Sequence, residues 1–400
     1  MKLIRNHIGL SFLLGLIIVG IPEILKVYLI MPMPGSQLAN NVELAYAINK
    51  FIWVSRILGA ALLLPSVYYL MSSGKLWKQI AAGFLMLFLS GLVYVTNFVM
   101  LADKMFYQPE TKLLLPVKEN IIENERAVLG VSINGEAKAY PIQLIGYHHQ
   151  VRDSVGGEPV MVTYCTVCRT GRVYKPEVNG KPEAFRLVGM DQFNAMFEDA
   201  TTKSWWRQAT GECCAGPLKG KRLEEISVRQ MTLAAWKNIY PETLVLQPDS
   251  KFLTAYKHLE GYDNGTQHGS LTGTDTSSFH KKSWVVGVIT PGGEKMYDWN
   301  ELRQKRIIQD EISGEPIILV LEKDNQTFHV FSRKLASSVL SIVYDSEKNT
   351  LTDSTTAYCW NLNGTPHGNT SGLEGLVPVQ AYQEFYHSFT TFHTIKKNYK

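Results

Sequence analysis

The sequence predicts a membrane region of transmembrane α-helices at the N-terminus, followed by a β-rich α+β soluble region made of two related lobes. Three observations carry that prediction. Apolar runs over His7–Met31, about Phe51–Met71 and Trp77–Leu101 each approach the ~20 residues needed to cross a bilayer. Beyond them, short apolar runs alternate with the turn signals INGEA, VGGEP, VNGKP and PGGEK, which is the punctuation of β-hairpins. Finally, VLGVSINGEAKAY at 128–140 returns, with one residue inserted, as VVGVITPGGEKMY at 285–297.

The first apolar run is too long for a signal peptide and lacks a small-residue cleavage pattern, so it reads as an anchor. Glu23 and Lys26 stand three apart within it, a spacing that lets them pair or face neighbouring helices. Arg56, early in the second run, can snorkel or meet a partner helix. Packing and anchoring compete with a functional role for all three. Lys2 and Arg5 precede the first run, and Lys75 and Lys78 lie in the second loop, so those ends are expected in the cytoplasm. The first loop, MPMPGSQLANNVELAYAINK, is poor in basic residues. Three crossings then place everything after about Lys104 outside the cytoplasm, on the periplasmic side in a two-membrane bacterium.

The expected division is a three-span region at 1–104, a first lobe at 115–250, a linking loop at 251–281 rich in Gly, Ser, Thr and His, and a second, divergent lobe at 282–400. The matches between lobes extend from DSVGGEPVMV at 153–162 to DEISGEPIILV, which starts at Asp310, 157 residues later. DATTKSWW from Asp199 likewise matches DSTTAYCW from Asp353. So long a period indicates a repeated domain-sized unit rather than a solenoid. Asp153/Asp310, Gly157/Gly314 and Pro159/Pro316 are expected to fix turns. One helix is expected at about Val228–Ile239, stopped before Pro241.

A net charge of +4 over 400 residues, with no basic stripe, argues against nucleic-acid binding. No Walker loop, dinucleotide fingerprint, GxSxG elbow or HExxH helix is present, so neither a nucleotide cofactor nor a common hydrolase mechanism is expected. All five cysteines, Cys165, Cys168, Cys213, Cys214 and Cys359, fall in the part expected to be exported, where disulfides persist. Their odd number leaves at least one outside any intrachain pairing.

The chemistry concentrates in TYCTVCRTGRVY at 163–174, a CxxC between two strand-like runs, with Gly171 permitting a reversal. The second lobe has Glu322 and Asn325 at the equivalent positions, and Lys305 where the first has His148. Thiols needed only to fold the unit should recur, so their absence there favours a specialised role in the first lobe, with lobe-specific stabilisation as the competing reading. A CxxC in a turn can turn both sulfurs toward zinc or copper. His148 is the expected further ligand, with His149, Cys213 and Cys214 as secondary candidates. Adjacent strand residues point to opposite faces, so only one of His148 and His149 can look into a site; an imidazole satisfied in the core or at the surface is the plain alternative. A thioredoxin-like site asks for CxxC at a helix N-terminus, and here the following residues read as extended. Arg169 and Arg172 could still hold a thiolate by charge, against the alternative of a solvated hairpin face. Neighbouring cysteines seldom bond to one another, so one of Cys213 and Cys214 is expected as a core thiol. Cys359, beside Trp360, reads as a buried thiol.

The runs AVLGVSINGEAKAYP, YHHQVRDSVGGEPVMVTYCTVCRTGRVY, SWWRQATGECCAGPLKGKRL and YPETLVL resemble, in order and spacing, the exported family catalogued as domain of unknown function 3179. The resemblance covers nearly all of the first lobe and, more faintly, the second. The family pairs its TYCxxC segment with a histidine corresponding to His148, usually followed by an acidic residue. Here His149 follows, which removes a carboxylate partner and keeps a nitrogen ligand. Relatives commonly lack thiols in the segment GECCAGPLKG, which implies that Cys213 and Cys214 modify a shared site rather than define it.

Three functional readings follow. The leading one is a soft-metal site, zinc or copper, built from Cys165, Cys168 and His148; if a position stays open, metal handling or Lewis-acid chemistry could follow. The second is a thiol–disulfide oxidoreductase in which Cys165 attacks and Cys168 resolves. The third is a non-enzymatic binding module with a structural disulfide, attached to other membrane proteins, since a tether alone needs only one helix. Whether the protein is an enzyme stays open among them.

Overall fold

The computed structural model describes residues 7–368, 372–393 and 395–398. Lys2 and Arg5, on which the orientation argument partly rests, lie outside them. Among the described residues three helices are long and apolar enough to cross a membrane: α1 (Ile8–Tyr28), α2 (Val42–Met71) and α3 (Leu76–Phe98). They are followed by a β-rich region of many small sheets. The chain divides into two compact units.

One unit comprises the residues up to Tyr107 together with Glu183–Arg207 and Glu212–Arg222. Its helices present Leu64, Phe84, Leu87 and Phe98 outward, as a lipid-facing surface requires. Gly15 and Gly59 let α1 and α2 approach closely, because a Cβ on either would press on Leu63 or Val19 of the other helix. The charges turn inward. Glu23 is fully buried and accepts from Arg56 Nε at 2.6 Å, Thr96 Oγ1 at 3.0 Å and Asn97 Nδ2 at 2.9 Å. Lys26 pairs with it at 3.3 Å, as the i,i+3 spacing predicts. The four-stranded sheet Phe185–Asp191, Asn194–Asp199, Trp205–Arg207 and Cys213–Ala215 belongs to this unit. Met190 N–H donates to Ile30 O at 2.7 Å, the Tyr46 and Trp205 rings meet at 5.2 Å, and Arg186 pairs with Asp103 at 3.5 Å. Segments placed in the first lobe by sequence thus group with the helices, since the loops following α1 and α3 supply their packing.

The other unit holds the rest. It contains one series of elements twice. Strands Ala127–Ile133 and Glu136–Pro141, helix Ile142–His148, and strands Gln150–Val155, Glu158–Cys165 and Thr170–Tyr174 form the first. Strands Trp284–Thr290 and Gly293–Asp298, helix Trp299–Lys305, and strands Ile307–Ile312, Glu315–Leu321 and Phe328–Ser332 form the second. Register agrees as well: Val131 faces Lys138 as Val288 faces Lys295, and Asp153 faces Val160 as Asp310 faces Ile317. Arg229–Thr232 then pairs antiparallel with the first hairpin, and Ala381–Phe385 with the second.

Local chemistry explains these elements. Asn134 and Gly135 have φ of 49° and 83°, and Gly156 and Gly157 57° and 83°, as two-residue hairpin loops that match strand twist demand. Both short helices end in a left-handed residue, His149 at φ 58° and Arg306 at φ 65°. Asp153 and Asp310 do not form turns. Each stands within a strand and accepts a 2.9 Å hydrogen bond from the preceding hairpin, from Tyr140 or Tyr297. The helix expected from Val228 begins only at Leu233, because Arg229–Thr232 is drawn into the sheet edge, and Thr232 Oγ1 then caps Ala235 N. Within the expected linking loop, Ser250–Phe252 and Leu253–Lys257 are helical, and Tyr256 and Tyr262 enter the core.

In each series a glycine on the first strand lies under an aromatic ring, where a Cβ would overlap Trp236 at Gly130 or Phe389 at Gly287. Gly130→Ala and Gly287→Ala are each expected to destabilise the protein by about 1–3 kcal/mol, the range for forcing extra volume into a packed core. Denaturant unfolding of the full chain in detergent measures this; an unchanged midpoint for either would show that the ring can move aside.

Candidate functional site

Strand Glu158–Cys165 and strand Thr170–Tyr174 are joined by a four-residue turn, closed by the Cys165–Thr170 pair and with Arg169 left-handed at φ 57°. Cys165 and Cys168 therefore flank one tight reversal. Both are fully buried, and the two thiols hydrogen-bond each other. None of the five cysteines is in a disulfide.

The turn packs against residues far away in sequence. Phe385 N–H donates to Cys168 O at 3.0 Å. Val167 O, between the cysteines, accepts from Lys282 Nζ at 2.5 Å and lies 3.1 Å from His387 Nε2, which must carry the proton to donate to a carbonyl. The Cys168 thiol also bonds Ser388, whose hydroxyl donates to Glu384 Oε2 at 2.9 Å. Glu384 is itself buried against the Arg172 guanidinium.

Burial governs the electrostatics of the site. Burial, with the hydrogen bond to Cys165 and its charge, pushes the Cys168 thiol well above its usual range; Ser388 and Lys282 act the other way. Burial brings Lys282 down to about 8, while the charge of Cys168 and Cys165 favours its ammonium form. Burial, aided by the nearby Lys282 charge, brings His387 down to about 4. The site therefore contains one cation that answers to the thiols, Lys282, and one neutral imidazole.

The two arginines following the CxxC are not on a solvated face. Arg169 is 1 % and Arg172 0 % exposed. Arg169 donates to Gln383 Oε1, Tyr262 O and Asp263 O and stacks 3.7 Å over the Trp284 ring. Arg172 donates to Ala209 O at 3.1 Å and Gly171 O at 2.9 Å and lies 3.3 Å over the Tyr382 ring. Both dock the turn.

The histidines are placed elsewhere. His148 ends its helix, with Nε2 2.6 Å from Tyr256 Oη and its ring among Tyr147, Phe252 and Tyr256. His149 Nδ1 donates to Tyr164 O at 2.8 Å, tying the helix end to the cysteine-bearing strand. Among the described residues no group of three His, Cys, Asp or Glu side chains could hold a metal ion, so Cys165, Cys168 and His148 are not brought together as a ligand set. Cys213 and Cys214 lie in the four-stranded sheet of the other unit, where Cys214 Sγ contacts Trp205 O at 3.4 Å and Met196 Sδ at 3.8 Å. Burial raises their thiols to about 11 and about 12. Cys359 is half-buried and accepts from Thr352 Oγ1 at 3.5 Å.

Lys282, Glu384, His387 and Ser388 were not found by sequence reasoning. They lie more than a hundred residues from the CxxC, and no local spacing links them to it. The one signal was the isolated Glu384 within the apolar strand AYQEF.

A family model described as "Protein of unknown function (DUF3179)" matches residues 109–395. No curated protein and no solved structure matches the chain.

Two buried imidazoles set the acid response. Burial lowers His149 from 6.5 to about 4, so in the folded protein it stays neutral well below the pH at which the unfolded chain takes up its proton. Between those values the unfolded state binds more protons, and stability falls as pH drops. His149→Asn keeps a residue that tolerates the left-handed cap and removes the titration. It should abolish up to about 3 kcal/mol of the stability lost between pH 6.5 and pH 4. Unfolding free energies at pH 7 and pH 4.5 check this; an unaltered pH slope would exclude His149 as a source.

Proposed function

The chain belongs to the DUF3179 family of proteins of unknown function, and we propose that this member is a membrane-anchored, extracytoplasmic thiol–disulfide oxidoreductase using Cys165 and Cys168. The observation that carries the reading is the meeting of two mutually hydrogen-bonded thiols with the Lys282 ammonium and the Ser388–Glu384 pair at one turn. Orientation with the N-terminus in the cytoplasm rests on the basic residues flanking the apolar runs. Repetition of an ancestral unit accounts for the recurring register, and it leaves the thiols to one copy.

In this mechanism Cys165 is the attacker, and Cys168, whose thiol meets the Ser388–Glu384 pair, resolves. The Cys165 thiolate, its charge offset by Lys282, attacks one sulfur of a substrate disulfide, and the other sulfur leaves and takes up a proton. Cys168 then attacks Cys165 in the mixed disulfide, releasing the second substrate thiol. Its proton passes to Ser388 Oγ as Ser388 gives its own to Glu384. Glu384 returns that proton through solvent to the departing substrate thiolate, and the proton Cys165 gave up to solvent on forming its thiolate matches the one the first substrate sulfur takes up. In net, two electrons and two protons pass from the dithiol to the substrate disulfide; the reverse sequence oxidises a substrate dithiol. Full burial of both sulfurs requires the turn at 166–169 to open for each exchange.

A soft-metal reading retains one observation in its favour: two converged sulfurs can hold copper(I) without a third ligand, and thiolates select that ion. Zinc would need ligands beyond these two.

Thiol counting decides. Oxidation should remove two of the five thiols reversibly. Cys168→Ser should accumulate a glutathione adduct on Cys165, and Cys165→Ser should not. Lys282→Met should slow adduct formation about tenfold, equivalent to about 1.4 kcal/mol of lost thiolate stabilisation. Stoichiometric copper lost on Cys165→Ser, without reversible oxidation, would replace this reading with the metal site. Cysteine variants that only lower the melting temperature would leave a structural role.

A further inference from the structure

A second site lies apart from the thiols. A cavity of about 210 Å³ opens between strand Arg229–Thr232, strand Phe328–Ser332 and the segment leading into strand Ala381–Phe385. Val228, Phe331 and Val379 give it apolar walls, and Arg229, Gln230 and Gln380 its polar ones. No residue lining it carries a carboxylate.

Arg229 is the unusual member. Its Nη1 is buried and has no hydrogen-bond partner among the described residues, and no ion pair involves its guanidinium there. A buried donor left unmatched is costly, the more so when it is charged. Three other arginines of this unit are matched: Arg172 by Glu384, Arg169 by three acceptors, and Arg333 by the carbonyls of Ile317 and Leu340. His329, also in the lining, does not serve Arg229, because its Nε2 is engaged with Glu322 at 2.7 Å. The half-buried Arg229 thus presents one buried, unmatched guanidinium nitrogen at the wall of a pocket without an anion.

We propose that this cavity binds a small organic carboxylate, its anionic end matched by Arg229 and its hydrocarbon part against Val228, Phe331 and Val379. A guanidinium is suited to a carboxylate because its planar fork can donate two parallel hydrogen bonds. Apolar walls favour an acid with a hydrocarbon portion over inorganic phosphate, which would leave them facing a fully hydrated ion. The site is independent of the thiol chemistry.

Isothermal titration of the full chain in detergent with benzoate, using inorganic phosphate as competitor, tests it. One benzoate per chain is expected, with affinity at least tenfold weaker in Arg229→Gln and partly kept in Arg229→Lys. Arg229→Met, similar in length, stands in should the glutamine variant fail to fold. Phosphate should not displace benzoate. Absence of benzoate binding, equal binding by the Arg229 variants, or displacement by millimolar phosphate would each overturn the proposal, the last in favour of a plain anion site.

Discussion

The site depends on one junction: the hairpin turn at 166–169 docked on strand Ala381–Phe385 and the start of the helix that follows it. Phe385 N–H holds Cys168 O, and Glu384 and Gln383 receive the guanidinia of Arg172 and Arg169. A buried ion pair rarely adds much net stability, because desolvation offsets the attraction, but removing one partner strands a charge at several kcal/mol. Arg172 and Glu384 therefore commit the turn to this seat. With the turn seated there, Lys282, His387 and Ser388 are brought against the cysteine backbone and thiols.

The recurring series of elements provides an internal control. In the second series the turn after strand Glu315–Leu321 meets strand Arg229–Thr232 in the corresponding way. There Thr232 N–H donates to Thr327 Oγ1 at 3.1 Å, and Thr232 Oγ1 donates to Asp324 Oδ2 at 2.9 Å. The threonines and this aspartate close that junction, and no cysteine lies in its turn. Ordinary hydrogen bonds thus complete that junction, whereas the turn at 166–169 meets Lys282 and His387. The thiol junction joins the turn at 166–169 to the strand and helix at 381–392, which are distant in sequence.

What the sequence revealed follows from the range of the interactions. Hairpin loops such as Asn134–Gly135 and Gly156–Gly157 were legible because positive φ is a local demand that few residues meet. The three apolar helices were legible from length and composition alone. Arg169 and Arg172 read as possible surface charges because two polar residues beside a glycine in a turn look solvated; their acceptors, at Gln383 and Glu384, are more than two hundred residues away. His148 read as a ligand through its nearness to the CxxC in sequence, but the helix it ends turns its ring into an aromatic cluster with Tyr256. Long-range pairing is what a single sequence conceals, and this site consists almost wholly of it.

Burial and reactivity still have to be reconciled, since a thiol sealed in apolar surroundings is ordinarily inert. The energetics of the turn point to how. Cys168 raised by burial, Lys282 lowered by it and His387 kept neutral are all groups whose charged forms the closed site disfavours. An opened turn would return each toward its ordinary titration, so exposure and activation would arrive together. The same carbonyl, Val167 O, is gripped by both Lys282 and His387, so its release would bare the segment between the cysteines, while Lys282 keeps its bond to Leu271 O and its place over the Phe385 ring. On the proposed reading, the closed site would shield the pair from adventitious oxidants and the open one would let a thiolate form beside Lys282. On that reading the coupling follows from having built the site out of buried ionisable groups, and the segment that would have to move is Thr166 to Arg169 rather than either sheet.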